Sequence, residues 1–200
     1  MSPFPRHRQF EFEDIGSVTV GHFTDTRIVH DPLNYFGNDL DRLVDELNRR
    51  KVLLNFSNVE SISSAALGRL ITLHRKFQAV QGKLVLCNIA ADILDAFKTT
   101  KADRVLIVVT DPGLATEGDV IREVFGDPYR DATFTPEWRT DTVIALARQM
   151  YETREFSAMP ILADALQDAE CDNTDILDHC RGPGPHVRGC WVVDLVLGKE

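Results

Sequence analysis

The sequence predicts an α/β protein in which helices pack on a mixed β-sheet, followed by a small all-helical region. Three observations support this class. Apolar runs suited to strands alternate with amphipathic helical patterns up to residue 112, only helical patterns follow, and turn residues separate the two parts. These changes predict an α/β domain at 8–112, a linker at 113–118 and a helical region of unknown function at 119–200.

Apolar runs in the first domain predict β-strands, and the order of elements is β-β-α-β-α-β-α-β. The first two runs are joined by Ile15-Gly16-Ser17, which predicts a hairpin. The later runs are continuous, which is typical of strands covered on both faces. The predicted strands are Phe10–Ile15, Val18–Phe23, Val52–Phe56, Lys83–Cys87 and Val105–Val109.

Helices are predicted between these strands because apolar residues recur every three or four positions. Helices of this length between strands are most simply joined as crossovers within one sheet. A short third helix is predicted near 91–97. The stripe of the first helix is Leu40, Leu43, Val44 and Leu47. The second helix begins at Ser63 and Ser64, and its stripe is Ala66, Leu70, Leu73, Phe77 and Val80.

The region 119–200 shows only helical patterns, and two of its prolines suit a first helical turn. The stretch Arg181-Gly182-Pro183-Gly184-Pro185 predicts a break before the last helix. The predicted helices are Asp119–Phe125, Pro136–Tyr151, Pro160–Ala169, Thr174–Cys180 and Cys190–Leu197.

The net charge of −9 is confined to the C-terminal part of the chain. Residues 1–112 carry 14 Lys and Arg against 14 Asp and Glu, whereas residues 113–200 carry 8 against 17. An acidic region repels nucleic-acid phosphates and anionic membranes, so neither is an expected partner. The apolar runs are too short for a membrane span, and no secretory signal is visible. A cytoplasmic protein with free cysteines is therefore expected.

The most specific motif is the segment from Val52 to Gly68. It reads Val-Leu-Leu-Asn-Phe-Ser-Asn-Val-Glu-Ser-Ile-Ser-Ser-Ala-Ala-Leu-Gly. This segment resembles the signature of STAS domains of the anti-sigma factor antagonist class, in which a buried strand is followed by Asp-Ser-Ser-Gly-Leu-Gly at the start of a helix. The resemblance continues from Gly82 to Asn88 and covers about half the chain. It implies a STAS-like mixed β-sheet with helices packed on it.

The resemblance also implies a mechanism of regulation. Aligning Leu67-Gly68 with the Leu-Gly of the family places Ser64 at the phosphorylatable serine, with Ser63 as the alternative. Ser63 stands where the family usually has Asp, and Ala65 and Ala66 replace its second Ser and its Gly. Family members bind an anti-sigma factor or Ser/Thr kinase when unmodified and release it when phosphorylated. The expected partner-binding residues are Ser63, Ser64, Ala65 and Leu67.

Residue chemistry alone leaves other roles open. Serine is a preferred N-cap, so Ser63 or Ser64 could serve only to cap the helix. A phosphate is also well accommodated at a helix N-terminus, where N–H groups are unpaired. Two alternatives to phosphorylation-controlled binding therefore remain for this domain: a STAS scaffold that is never phosphorylated, and a ligand-sensing module.

A metal-binding activity of the C-terminal region is the third hypothesis. Its weak candidate ligands are Cys171, Cys180, His186 and Cys190, with His179 adjacent. Their spacing, C-x8-C-x5-H-x3-C, matches no compact zinc finger, so buried thiols are the expected role and no cofactor is predicted. The sequence also carries no P-loop, dinucleotide-binding, nucleophile-elbow or H-E-x-x-H motif. We therefore expect a binding protein rather than an enzyme.

Overall fold

A computed structural model describes residues 10–28, 40–129 and 132–199. The chain divides into two compact units, Met1–Thr110 and Asp111–Glu200, called here the N-terminal and C-terminal units. The predicted domain start at residue 8 lies outside the described residues. No helix among the described residues is long and apolar enough to cross a membrane.

The N-terminal unit contains the strands. They are β1 (Phe10–Ile15), β2 (Val18–Phe23), β3 (Arg27–Ile28), β4 (Lys51–Asn55), β5 (Ser61–Ile62), β6 (Lys83–Cys87) and β7 (Ile107–Val109). A five-stranded sheet has the order β1-β2-β4-β6-β7. β1 and β2 form the predicted antiparallel hairpin, and β2, β4, β6 and β7 are parallel. The short strands β3 and β5, which the sequence did not predict, pair in parallel as a second sheet.

Helices of the N-terminal unit pack against the sheet. They are α1 (40–45), α2 (Ser64–Ala79) and α3 (Ala91–Thr99), followed by a 3-10 turn at Ala102–Arg104. The predicted apolar stripes of α1 and α2 face the hydrophobic core, although Leu47 and Val80 are only partly buried. The largest buried core side chains include Leu40, Leu43, Leu54, Phe56, Leu70, Leu73, Phe77, Leu84, Leu86 and Phe97.

The last strand is shorter than the predicted Val105–Val109. The amides of Val105 and Leu106 donate to the carbonyl of Ala102 at 3.0 and 2.8 Å. These groups are used in a helical turn and are not available for pairing with β6. Periodicity alone does not separate such a turn from a strand, because both bury short apolar runs.

The C-terminal unit is all-helical, which confirms the predicted mixed α/β class followed by helices. Its helices are α4 (Glu117–Phe125), α5 (Asp141–Thr153), α6 (Met159–Asp168), α7 (Thr174–Arg181) and α8 (Trp191–Leu197), with a 3-10 turn at Pro136–Trp138. Buried apolar side chains from α5 to α8 form one core. The core includes Val143, Ala147, Met150, Met159, Leu162, Leu166, Ile176, Cys180, Val192 and Val193.

Threonine caps determine two helix starts that differ from the predicted ones. The predicted helix Pro136–Tyr151 is interrupted because Thr140 caps α5, its hydroxyl accepting from Val143 N at 3.4 Å. α4 begins at Glu117, inside the segment predicted as a linker. Its cap is a reciprocal pair: Thr116 Oγ1 accepts from Asp119 N at 3.1 Å, and Asp119 Oδ2 accepts from Thr116 N at 3.2 Å.

Candidate functional site

The parallel strands bring a group of loops to one edge of the main sheet. β2, β4 and β6 end at Phe23, Asn55 and Cys87, and carboxyl ends of parallel strands share an edge. The loop after β4 leads directly into α2. The N-terminus of α2, which carries the predicted site, therefore lies at this edge.

The loop before α2 is held by backbone hydrogen bonds. β5 lies within this loop and pairs with β3, which follows β2. Ser63 N donates to Ile28 O at 3.0 Å, and Glu60 N donates to Thr26 O at 2.7 Å. These bonds fix the position and direction of the first turn of α2.

Ser63 is the N-cap of α2. Its backbone is extended, with φ −77° and ψ 156°, and its Oγ accepts from Ala66 N at 3.2 Å. Its carbonyl accepts from Leu67 N at 3.0 Å. Ser63 thus satisfies an N–H group that the helix itself leaves unpaired. Asp and Ser cap helices about equally well, so Ser63 replaces the Asp of the family without loss of the cap.

Ser64 differs from Ser63 in exposure and in partners. It is the first residue of α2, and its side chain faces solvent together with that of Ala65. Within the described ranges, the Ser64 hydroxyl has no hydrogen-bond partner. Of the two serines, Ser64 is therefore the one whose oxygen is available to another molecule.

Two neighbouring residues belong to the core rather than to the surface. Leu67, expected to contact a partner, is 5% exposed and packs in the core of the N-terminal unit. Its side chain stabilises the fold and offers little surface to a partner. Ala66 is 1% exposed, so the methyl group that replaces the family's Gly fills space in the same core.

Ion pairs connect α2 to α1 beyond the first turn. Arg69 pairs with Asp41, and Lys76 Nζ lies 2.9 Å from Asp41 Oδ1 and 2.6 Å from Asp45 Oδ2. Burial lowers the pKa of Lys76, but hydrogen bonds and charges of Asp45 and Asp41 outweigh it and raise the pKa above its usual value.

The first turn of α2 contains no acidic residue. The positive end of its helix dipole is therefore not neutralised by its own side chains.

Replacing Ser63 with alanine is expected to lower the free energy of unfolding by about 1 kcal/mol, because Ala66 N loses its acceptor. Urea denaturation followed by circular dichroism measures this change. Ser57→Ala is the matched control, since Ser57 is exposed in the same loop and caps no helix. Equal midpoints for the two variants would contradict the capping role.

A second group of polar side chains meets inside the C-terminal unit. Glu123 from α4, His179 from α7, His186 from the following loop and Cys190 before α8 place one ligand-type atom each within 4.8 Å of one another. We call these four residues the Glu-His-His-Cys cluster.

This cluster contains two of the four weak candidate ligands named from the sequence. His186 and Cys190 belong to it, but Cys171 and Cys180 lie outside it as buried free thiols. Sequence reasoning missed Glu123, because this residue joins the others only through the packing of α4. Its one sequence signal is a carboxylate on the apolar side of an amphipathic helix, next to Val124.

Burial shifts the pKa of two members of the cluster. It lowers the pKa of His179 to about 3, with a smaller contribution from His186. It raises the pKa of the Cys190 thiol well above its usual value, and the charge of Glu123 adds to this effect. The pKa of Cys180 is raised to about 12 for the same main reason.

Comparison with known families supports the resemblance seen in the sequence. The model of the STAS domain family matches residues 15–116. The chain belongs to the STAS domain family. In the STAS domain of this chain, β4, the loop that contains β5 and the capped start of α2 lie within the matched range. No curated protein matches the sequence.

Solved structures of other proteins are similar to part of this chain. TM1081 of Thermotoga maritima, described as an anti-sigma factor antagonist, is 20% identical with a TM-score of 0.44, over 56% of this chain and 94% of its own. The anti-sigma factor antagonist SpoIIAA, unphosphorylated, is 16% identical with a TM-score of 0.45, over 56% and 94%. Phosphorylated SpoIIAA from Bacillus is 15% identical with a TM-score of 0.42, over 53% and 96%.

Proposed function

We propose that the STAS domain is an anti-sigma factor antagonist-like module that binds an anti-sigma factor or Ser/Thr kinase protein, and that phosphorylation of Ser64 controls this binding. The observation that carries the proposal is the exposed Ser64 hydroxyl, which has no partner among the described residues and follows the capping Ser63 directly. Membership of the STAS family and the signature-like segment from Val52 to Gly68 support it.

A phosphate on Ser64 is compatible with the folded domain. It adds roughly 1.5 to 2 negative charges, which unpaired N–H groups and the positive end of a helix dipole stabilise. No acidic side chain in the first turn opposes it. The cap remains intact because Ser63, and not Ser64, accepts from Ala66 N. The modification would therefore change the surface and leave the fold unchanged.

A phosphate on Ser64 would strongly change the surface that a partner protein meets. Ser64 and Ala65 present small, neutral side chains at the sheet edge, so another protein can approach the start of α2 closely. A partner shaped for a neutral hydroxyl would have to desolvate a phosphate or move away from it. Binding to the unmodified form and release of the phosphorylated form follow from this difference.

In this proposal the chain acts by binding and not by catalysis, in the cytoplasm. The cysteines Cys87, Cys171, Cys180 and Cys190 are free thiols, which fits a reducing compartment. One partner protein can be both the kinase and the anti-sigma factor. If the two activities belong to different proteins, the chain has two separate partners.

Ser64→Asp is expected to weaken binding to the purified partner at least about 10-fold, since one charge at a close contact costs more than 1.4 kcal/mol. Titration calorimetry with the full chain measures the Kd. Ser64→Ala should bind like the wild type. Thr72→Asp, which adds the same charge at an exposed position farther along α2, is the matched control. Equal affinities for Ser64→Asp and wild type would favour the unphosphorylated scaffold instead.

Incubation with the partner kinase and ATP is expected to add one phosphate to the wild-type chain. Intact-mass analysis counts the phosphates, and fragmentation locates them. Ser63→Ala should still accept a phosphate, whereas Ser64→Ala should accept none. Modification of Ser63, or no modification by a kinase that phosphorylates a control substrate, would remove Ser64 as the switch.

A further inference from the structure

We propose that the Glu-His-His-Cys cluster is a structural zinc site of the C-terminal unit. Its ligands are Glu123 Oε2, His179 Nε2, a ring nitrogen of His186 and Cys190 Sγ. The site is independent of the proposed function, since all four ligands lie outside the N-terminal unit that carries Ser64.

The spacing of the ligand atoms fits one tetrahedral ion. Glu123 Oε2 lies 3.2 Å from His186 Nδ1 and 3.4 Å from His179 Nε2. His179 Nε2 lies 3.1 Å from Cys190 Sγ. Zinc bonds of about 2.0–2.3 Å at tetrahedral angles separate neighbouring ligand atoms by about 3.3–3.7 Å. These three separations are within about half an ångström of that range. All four ligand atoms lie within 4.8 Å of one another, so side-chain shifts of about an ångström would complete the site.

Hydrogen bonds among the four side chains cannot pair all of their polar atoms. The single proton available at Nε2 of neutral His179 can reach either Glu123 or Cys190, but not both. One cation at the centre would face Glu123 Oε2, His179 Nε2 and Cys190 Sγ at once.

Charge balance favours a divalent cation. Glu123 is 5% exposed, and its carboxylate faces two imidazoles. Histidine binds a metal as the neutral imidazole, so the two histidines would offer lone pairs and not a compensating charge. Zn²⁺ would offset the carboxylate and a deprotonated Cys190 thiolate, which makes the buried site neutral overall.

The surrounding residues orient the ligands. Val187 N donates to Glu123 Oε1 at 3.0 Å, which leaves Oε2 to face the histidines. The Trp191 ring lies 5.2 Å from the His179 ring between centroids and packs against Gly126 at the end of α4. A hydrogen bond to the distal oxygen and an apolar wall are typical supports of a bound metal.

The same atoms could be mistaken for a Cys-His-Glu catalytic triad. Cys190 is 0% exposed, so no substrate reaches its sulfur in the folded unit. Four protein ligands leave no open position for a water or substrate. These features distinguish a structural site from a catalytic one.

Zinc suits this ligand set better than magnesium or calcium, which prefer oxygen ligands. The ligands come from α4, from α7 and from the loop that ends at α8. An ion would therefore connect Glu123 on α4 to three ligands that follow it by 56 to 67 residues in the sequence. In a small helical unit, this cross-link would contribute directly to folding.

The metal content of the full chain tests the proposal. Protein produced with zinc in the medium and without a polyhistidine tag should hold about one zinc per chain by mass spectrometry of the digested sample. Cobalt exchanged for zinc should give the visible absorption of a tetrahedral thiolate site. Cys190→Ala and His179→Ala should each lose the metal. Cys171→Ala is the matched control, because Cys171 is also a buried thiol but lies outside the cluster.

Chelation supplies a second readout that does not require folded variants. Removing zinc should lower the Tm of the wild-type chain by at least about 5 °C, and added zinc should restore it. A wild-type chain that binds no zinc after exposure to excess metal would overturn the proposal. So would full zinc content in Cys190→Ala, or loss of zinc from a folded Cys171→Ala.

Discussion

Phe77→Ala is expected to lower the free energy of unfolding by about 3–5 kcal/mol, a large fraction of the stability of a domain this size. Phe77 is 0% exposed and lies in the hydrophobic core. Its ring approaches Gly82 so closely that a Cβ there would lie 3.1 Å from Cδ1 and 2.8 Å from Arg50 O. Backbone on this side limits collapse, so most of the cavity would remain.

Urea denaturation followed by far-UV circular dichroism measures the effect of Phe77→Ala. Gln78→Ala is the matched control, since Gln78 is exposed on the same turn of α2. It should change the free energy of unfolding by less than about 0.5 kcal/mol. A loss below about 2 kcal/mol for Phe77→Ala would show that the core refills the space and that the nearby backbone does not limit its collapse.

Arg139→Ala is expected to lower the stability of the C-terminal unit by about 2–3 kcal/mol, because hydrogen bonds from charged donors are stronger than neutral ones. Arg139 donates from Nε to Val196 O at 3.2 Å and from Nη2 to Leu195 O at 2.8 Å. These carbonyls end the short helix α8. The guanidinium also lies 5.0 Å from the centre of the Phe134 ring. Its loss should fray α8.

Tryptophan fluorescence is the appropriate measurement for Arg139→Ala. Both tryptophans, Trp138 and Trp191, lie in the C-terminal unit, one next to Arg139 and one at the start of α8. Arg148→Ala on the exposed face of α5 is the control and should unfold like the wild type. Arg139→Lys should fall between them, since lysine keeps the charge but not the two-pronged geometry. Identical curves for all three variants would contradict the capping role.

The sequence predicts the fold of the N-terminal unit well because its signals are local. Continuous apolar runs identify β4 and β6, and the stripe from Ala66 to Phe77 identifies α2. The order of elements then restricts the topology to a parallel sheet with one hairpin. The two-residue strands β3 and β5 escape prediction because they are too short to show any periodicity.

The two candidate sites differ in how many of their residues can be identified from local sequence. The sequence identifies Ser63 and Ser64 as helix-cap candidates within a signature-like segment, but the exposure that distinguishes them is seen only in the folded domain. Glu123 could not be assigned from local sequence. Its role depends on α4 packing against a loop more than 55 residues later, and only the tertiary fold brings it to His186 and Cys190.

Ser64 occupies a helical position, and this constrains any enzyme that modifies it. The bonds of Ser63 to Ile28 and Ala66 hold the chain on either side of Ser64 in a fixed geometry. A protein kinase that reads extended peptides would have to unwind the first turn of α2. Under the proposed function, substrate recognition therefore depends on the folded domain as a whole, and a synthetic peptide covering 58–70 should be a much poorer substrate than the intact chain.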